Sequence, residues 1–190
     1  MRPERTLITL AVALLVLSAR GLAAEPAPSP AAPAEAVLAD LPKATWIADG
    51  GGRRVVYIFF DPNCPSCQLL YRNLRTFVAS HNLQVRWIPV AVVDATSLGK
   101  AAAILQVPDR RAALRRNEER YQSETFSGGI EEEIPSDETE QQLRANELLL
   151  NRLDVPVVPT MLFPSRDGRA VIIQGALSPL ALGKVLVRLP

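Results

Sequence analysis

The sequence predicts an α/β domain with helices on both faces of a central sheet and a helical insertion before a C-terminal hairpin and helix. Three observations predict it. The run Arg54–Phe60 is almost continuously apolar, β-branched and aromatic, which is typical of a strand buried on both faces. Apolar residues at helical spacing follow this run, at 69, 70, 74, 77 and 78. Near the C-terminus, apolar runs at 160–163 and 170–174 flank Arg166-Asp167-Gly168, which indicates a hairpin.

The first 40 residues are expected to precede the domain. Residues 1–24 have the features of a cleavable secretory signal, with basic residues, an apolar run and then small residues. A retained anchor is the alternative, but the apolar run at 7–17 is shorter than the roughly 20 residues a spanning helix needs. Residues 25–33 consist mostly of Ala, Pro and Ser, which predicts a tether over 25–40, with a short helix at 34–41.

Residues 41–190 are predicted to form the domain. Pro65 suits the first turn of a helix, where its missing N–H needs no partner. A second strand is expected at 84–93, and 97–153 forms the predicted helical insertion. Ser178 and Pro179 are a favourable N-cap and N1 pair for a last helix.

Composition excludes several classes of function. Lys and Arg number 21 against 20 Asp and Glu, so no patch for nucleic acid or an anionic membrane is predicted. With one histidine and two cysteines, the chain offers no four-ligand zinc site. We therefore expect no metal and no cofactor.

The two cysteines stand together as Cys64-Pro65-Ser66-Cys67, between the predicted strand and helix. Unpaired N–H groups at a helix N-terminus stabilise a thiolate, which predicts a lowered pKa and an attacking role for Cys64. Cys67 lies one turn behind and is expected to resolve the mixed disulfide. A structural disulfide is the alternative, but a bridge closing so few residues removes little chain entropy.

A second candidate element is Val158-Pro159, directly before the apolar run at 160–163. A proline at this position is a candidate cis-proline, which presents the preceding backbone to a bound peptide. Taken alone, Pro159 also fits an ordinary strand-entry proline. The upstream cysteine motif favours the cis alternative.

Phe60-Asp61-Pro62-Asn63-Cys64-Pro65-Ser66-Cys67, combined with Val158-Pro159-Thr160, resembles the thioredoxin-fold domain of periplasmic thiol:disulfide interchange proteins of the DsbG/DsbC type. The resemblance covers residues 41–189. It implies a thioredoxin-like fold in which Cys64 attacks, Cys67 resolves and the cis-proline Pro159 faces them. Substrate contacts are expected from Val158, Pro159, Pro65 and Ser66. The implied substrates are exported proteins with disulfides or oxidised cysteines, and the implied partner is a membrane protein that resets the pair.

Three features differ from that family's pattern. The N-terminal dimerisation domain has no counterpart before residue 41, so a monomer is expected. Val158 stands where DsbC and DsbG carry Thr, and Ser66 replaces a Tyr. These differences keep two alternatives open: a DsbA-like net oxidant, and a non-catalytic thioredoxin-fold assembly factor of a secretion or conjugation system.

Proton exchange with Cys67 also departs from the thioredoxin pattern. The position six residues before the first cysteine, where thioredoxins carry a buried acid, is Ile58. Another side chain or a water molecule must then exchange the proton with Cys67. Asp61 is nearer in sequence, but a turn-forming role before Pro62 is the favoured interpretation.

Overall fold

The computed structural model describes residues 31–190 of the chain. This range contains six α-helices, a short 3₁₀ helix at Leu41–Lys43 and one five-stranded sheet. The strands are β1 (Ile47–Asp49), β2 (Arg54–Phe60), β3 (Leu83–Pro89), β4 (Thr160–Pro164) and β5 (Ala170–Gln174). The helices are α1 (Ala31–Asp40), α2 (Pro65–Ser80), α3 (Ser97–Leu105), α4 (Arg110–Glu119), α5 (Asp137–Leu150) and α6 (Pro179–Leu186). None of these helices is long and apolar enough to cross a bilayer. The predicted signal, 1–24, lies outside the described residues.

The sheet is built around β2, in the order β1-β3-β2-β4-β5. The neighbours β2 and β3 are parallel and joined by α2, whereas the other neighbouring pairs are antiparallel. Successive side chains of a strand point to opposite faces. Ile58 and Phe60 accordingly belong to one apolar core, while Tyr57 and Phe59 belong to the other. The predicted strand buried on both faces is confirmed.

Helices cover both faces of the sheet. One core is completed by buried side chains of α2, α4 and α6, among them Leu74, Leu114 and Leu182. The opposite core includes Val37 of α1 and Leu150 of α5. Because α3, α4 and α5 all lie between β3 and β4, the predicted helical insertion is present, and it contributes to both cores.

The prediction of a tether over 25–40 is wrong from Ala31 onward, where α1 begins. Val37 is fully buried beside Tyr57 and Phe59. Burying such a side chain is worth about 1.5–3 kcal/mol, which offsets the entropy lost when the segment becomes ordered. The short helix expected at 34–41 is therefore part of the domain.

The predicted end of the second strand is also wrong. The strand β3 ends at Pro89, not at residue 93. Past it, the backbone N–H groups of Val92 and Val93 donate to the carboxylate of Asp61, at 2.7 and 3.0 Å. These bonds turn the chain toward the end of β2. The edge strand β1, which pairs with β3 through Ile47 and Trp87, was not predicted.

Candidate active site

The two cysteines lie at the junction of β2 and α2. Cys64 is the N-cap of α2, and its Sγ accepts a hydrogen bond from the backbone N–H of Cys67 at 3.2 Å. Within residues 31–190 both are free thiols. Cys64 retains 5% of its surface exposed, whereas Cys67 retains none. Only Cys64 is therefore open to an incoming disulfide.

The environment separates the acidities of the two thiols. Hydrogen bonds from the thiol and the backbone N–H of Cys67 lower the pKa of Cys64, although burial opposes them. Burial raises the pKa of Cys67 well above its ordinary value, and the neighbouring Cys64 adds to the rise. The arrangement favours a thiolate at Cys64 and a protonated thiol at Cys67.

The Val158–Pro159 peptide bond is cis. Pairing of Phe59 with Thr160 places this bond beside the end of β2. The thiol of Cys64 donates to the carbonyl oxygen of Val158 over 3.7 Å. The structure thus brings Val158 to the cysteine motif across 94 residues of chain.

The two residues between the cysteines, Pro65 and Ser66, are exposed. Pro65 is the first residue of α2, as predicted. All six residues predicted for the site (Cys64, Cys67, Val158, Pro159, Pro65 and Ser66) therefore lie at one end of the sheet.

Asp61 holds the loop that carries Cys64. Its side chain accepts from the backbone N–H of Asn63 at 2.8 Å, which is the predicted turn. It also accepts from the hydroxyl of Ser97 at 2.8 Å and from the N–H groups that follow β3. Burial raises the pKa of Asp61, and these hydrogen bonds oppose the rise. Asp61 is thus a fully engaged acceptor.

Residues of the helical insertion also form hydrogen bonds with the loop that carries Cys64. Tyr121 donates its hydroxyl to the carbonyl of Asn63 at 2.9 Å, and the N–H of Gly128 donates to Asn63 Oδ1 at 2.9 Å. The amide of Asn117 donates to the carbonyl of Pro62 at 3.0 Å. A side chain at Gly128 would meet Asn117 Oδ1 at 2.0 Å, so this approach requires glycine.

A buried lysine fixes the loop of the insertion in turn. Lys100 is only 6% exposed, and its ammonium donates to the carbonyl of Gly128 at 2.8 Å and to the hydroxyl of Ser127. An ammonium group is not left buried without acceptors. Lys100 therefore holds Gly128 against the Cys64 loop.

Comparison with known proteins agrees with this geometry. The family model described as a thioredoxin-like domain matches residues 41–189. The chain belongs to the thioredoxin-like domain family. The match confirms the predicted thioredoxin-like fold.

Among curated proteins, the chain is similar to the thiol:disulfide interchange protein DsbG of Pseudomonas aeruginosa, with 32% identity over 146 residues. That alignment covers 76% of this chain and 56% of the relative. DsbG of Escherichia coli is 29% identical over 64% of this chain and 49% of its own length. The chain spans about half the length of these relatives.

Solved structures show the same fold. A linker-deletion variant of Proteus mirabilis ScsC aligns with a TM-score of 0.68 at 20% identity, over 83% of this chain and 82% of that one. A periplasmic thioredoxin-like protein from Salmonella enterica serovar Typhimurium aligns with a TM-score of 0.62 at 19% identity, over 81% of this chain and 94% of that one.

Four exposed apolar side chains belong to segments that are bonded to the Cys64 loop or adjoin the cis bond. Val157 precedes the cis bond and is 41% exposed, while Val92 and Val93, bonded to Asp61, are 49% and 44% exposed. Phe126, in the loop that holds Asn63, is 60% exposed. We call these four residues the apolar rim. Exposed apolar clusters of this kind mark binding surfaces.

Two residues of the site, Asn117 and Glu118, were not predicted. Both are buried, at 0% and 2% exposure, on α4. They stand in the highly charged run Arg115-Arg116-Asn117-Glu118-Glu119-Arg120, which suggests a solvated face. Helical spacing from Ala113 and Leu114 was the available signal, because it places both polar residues on the buried side.

Within residues 31–190, no group of three or more His, Cys, Asp or Glu side chains is arranged to hold a metal ion.

Proposed function

We propose that this protein is a periplasmic thiol:disulfide oxidoreductase that reduces or isomerises disulfides of exported proteins through Cys64-Pro65-Ser66-Cys67. The asymmetry of the cysteine pair carries the proposal. Cys64 is reachable and its pKa is lowered, whereas Cys67 is fully buried and its pKa is raised. Attack by one thiol and resolution by the other need this difference.

The reaction follows from the geometry. The Cys64 thiolate attacks one sulfur of a substrate disulfide, forms a mixed disulfide and releases the other substrate sulfur as a thiolate. Cys67 then loses its proton and attacks Cys64 Sγ. A Cys64–Cys67 disulfide forms and the second substrate thiolate leaves, so two electrons have passed from the pair to the substrate. Isomerisation occurs when a different cysteine thiolate of the substrate attacks the substrate sulfur of the mixed disulfide first, which forms a new substrate disulfide and releases the Cys64 thiolate.

The surroundings of Cys64 suit an extended, partly apolar peptide. The carbonyl of Val158 lies 3.7 Å from Cys64 Sγ and is an acceptor for the N–H of a bound backbone. The apolar rim offers Val157, Val92, Val93 and Phe126 to apolar side chains. Pro65 and Ser66, between the two cysteines, are also exposed and available to a substrate. Incompletely folded exported proteins present such segments.

The periplasmic location and the resetting partner are part of the same proposal. The secretory signal predicted for residues 1–24 supports export. A protein that reduces substrates accumulates the Cys64–Cys67 disulfide and needs a membrane reductant to restore it. The expected monomer completes the proposal, and light scattering at micromolar concentration tests it.

A net oxidant is the second candidate, and the hydrogen bond to Cys64 favours it. A stabilised Cys64 thiolate stabilises the reduced pair, which raises the reduction potential. Equilibration with glutathione discriminates the two. A potential of about −120 mV supports net oxidation, and one of about −270 mV supports reduction.

Insulin reduction with dithiothreitol tests the proposed reaction. Cys64→Ser is expected to abolish activity above the dithiothreitol background, and Cys67→Ser to accumulate substrate mixed disulfides on Cys64. Ser80→Ala, at the other end of α2, is the matched control because its exposed hydroxyl has local partners far from the cysteines, the carbonyl of Thr76 and Nδ1 of His81. Full activity in Cys64→Ser contradicts the proposal.

A further inference from the structure

Glu118 is a buried carboxyl group that the proposed reaction has not used. It is 2% exposed, on the side of α4 whose buried residues Ala113 and Leu114 share one apolar core with the two cysteines. Its Oε1 accepts from the amide of Asn117 at 3.1 Å, and the same amide donates to the carbonyl of Pro62. Glu118 is thereby tied to the loop that carries Cys64.

The second carboxyl oxygen, Oε2, has no hydrogen-bond partner among residues 31–190 and is completely buried. An ionised carboxylate without a partner is expensive to bury. Burial raises the pKa of Glu118 to about 8, and the charges of Cys64 and Asp61 add to the rise. Glu118 can therefore exchange a proton near neutral pH.

Glu118 also lies within electrostatic range of the reacting sulfurs. The negative charge of Glu118 contributes to the raised pKa of Cys67, and the negative charge of Cys64 contributes to the raised pKa of Glu118. Tyr71 of α2 and Tyr121, beyond the end of α4, also feel its charge. Among residues 31–190, the groups whose pKa values are linked to that of Glu118 are the two cysteines, Asp61 and these two tyrosines.

We propose that Glu118, in the helical insertion, is the proton-transfer partner of Cys67. It would replace the buried acid that thioredoxins carry at the position of Ile58. This inference rests on the proposed thiol–disulfide exchange. Asp61 is not suited to the task because hydrogen bonds engage both its oxygens. Glu118 has a free, buried oxygen.

The proton balance is simple. Once substrate is joined to Cys64, the carboxylate of Glu118 takes the proton of the Cys67 thiol, directly or through one water. The Cys67 thiolate attacks Cys64 Sγ, and the electron pair of the broken bond leaves on the substrate sulfur, which takes a proton from solvent. When the pair is reduced again, Glu118 returns its proton to Cys67.

Reaction with dithiobis(nitrobenzoate) separates the two steps, because each releases one coloured thiolate. The first release reports attack by Cys64, and the second reports resolution by Cys67. In Glu118→Gln we expect the second release to slow about 100-fold near neutral pH and to lose its inflection near pH 8. The first release is expected to change less than about threefold, since Gln removes only a nearby charge.

Glu119→Gln is the matched control, because the neighbouring Glu119 is exposed on the same helix. It should leave both releases at the wild-type rate. Glu118→Asp, which keeps a carboxyl group, should restore the inflection in part, and this excludes a merely structural role.

The outcomes are distinguishable. If Glu118 acts only as a charge, removing it lowers the pKa of Cys67 and the second release becomes faster, which overturns the inference. An unchanged second release overturns it equally. Absence of the first release in the wild-type protein refutes the proposed function itself.

Discussion

Replacing Asp61 by alanine tests how the active-site loop is held. The substitution removes the acceptor of two buried donors, the N–H of Asn63 and the hydroxyl of Ser97. A buried donor without a partner costs about 1–3 kcal/mol. The N–H groups of Val92 and Val93 lie in partly buried positions and add less, because water can replace the carboxylate there. The substitution also removes the cost of burying the Asp61 carboxyl group, and this offsets part of the lost stability.

We therefore expect Asp61→Ala to lower the free energy of unfolding by about 2–4 kcal/mol. Asp61→Asn retains one acceptor oxygen and is expected to lose about half as much. Urea unfolding at neutral pH, followed by the fluorescence of the buried Trp87, measures both. Asp154→Ala, at an exposed position, is the control and should stay within about 0.5 kcal/mol of wild type. A change that small in Asp61→Ala would refute the assigned role.

Two further predictions concern α4 and its surroundings. Because the pKa of Glu118 rises from 4.5 to about 8 on folding, the folded state binds this proton more tightly and the free energy of unfolding falls as pH rises across that interval. Urea titrations should show Glu118→Gln losing that slope, up to about 1.4 kcal/mol per pH unit, and a slope equal to that of wild type would contradict the burial argument. Gly128→Ala should destabilise the fold by about 1–3 kcal/mol, because the new methyl group meets Asn117 and the carbonyl of Pro62. Thermal unfolding compares it with Gly51→Ala, where nothing lies within 4 Å, and equal stabilities would show that the contact is not tight.

The cysteine junction was predictable from sequence because its signals are local. The apolar run Arg54–Phe60 is β2 to the residue, and Pro65 begins α2. The cis-proline at Pro159 was predicted from its place before an apolar run together with the cysteine motif and the family resemblance, and the Val158–Pro159 bond is cis. Features that depend on neighbouring residues, or on the family pattern, were thus predicted from the sequence.

The remainder depends on contacts between distant parts of the chain. Nothing local marks Val90 to Val93 as non-strand, since the bonds that end β3 reach back to Asp61 over about 30 residues. The helix α1 is ordered by burial of Val37 in a core built from β2 and α5. Glu118 lies in a run of charged residues, and only packing of α4 against the cysteine loop makes it a buried acid. Such features follow from tertiary packing and not from local pattern.

The central claim is that Cys64 is the attacking thiol and Cys67 is its protected partner. The rate at which each cysteine of the reduced protein reacts with iodoacetamide, measured against pH with the modified site identified by mass spectrometry, tests this claim directly. We expect Cys64 to be alkylated first, with a midpoint below the ordinary thiol pKa of 9.0, while Cys67 stays unmodified through that range. Equal alkylation of both cysteines, or earlier alkylation of Cys67, would contradict the account.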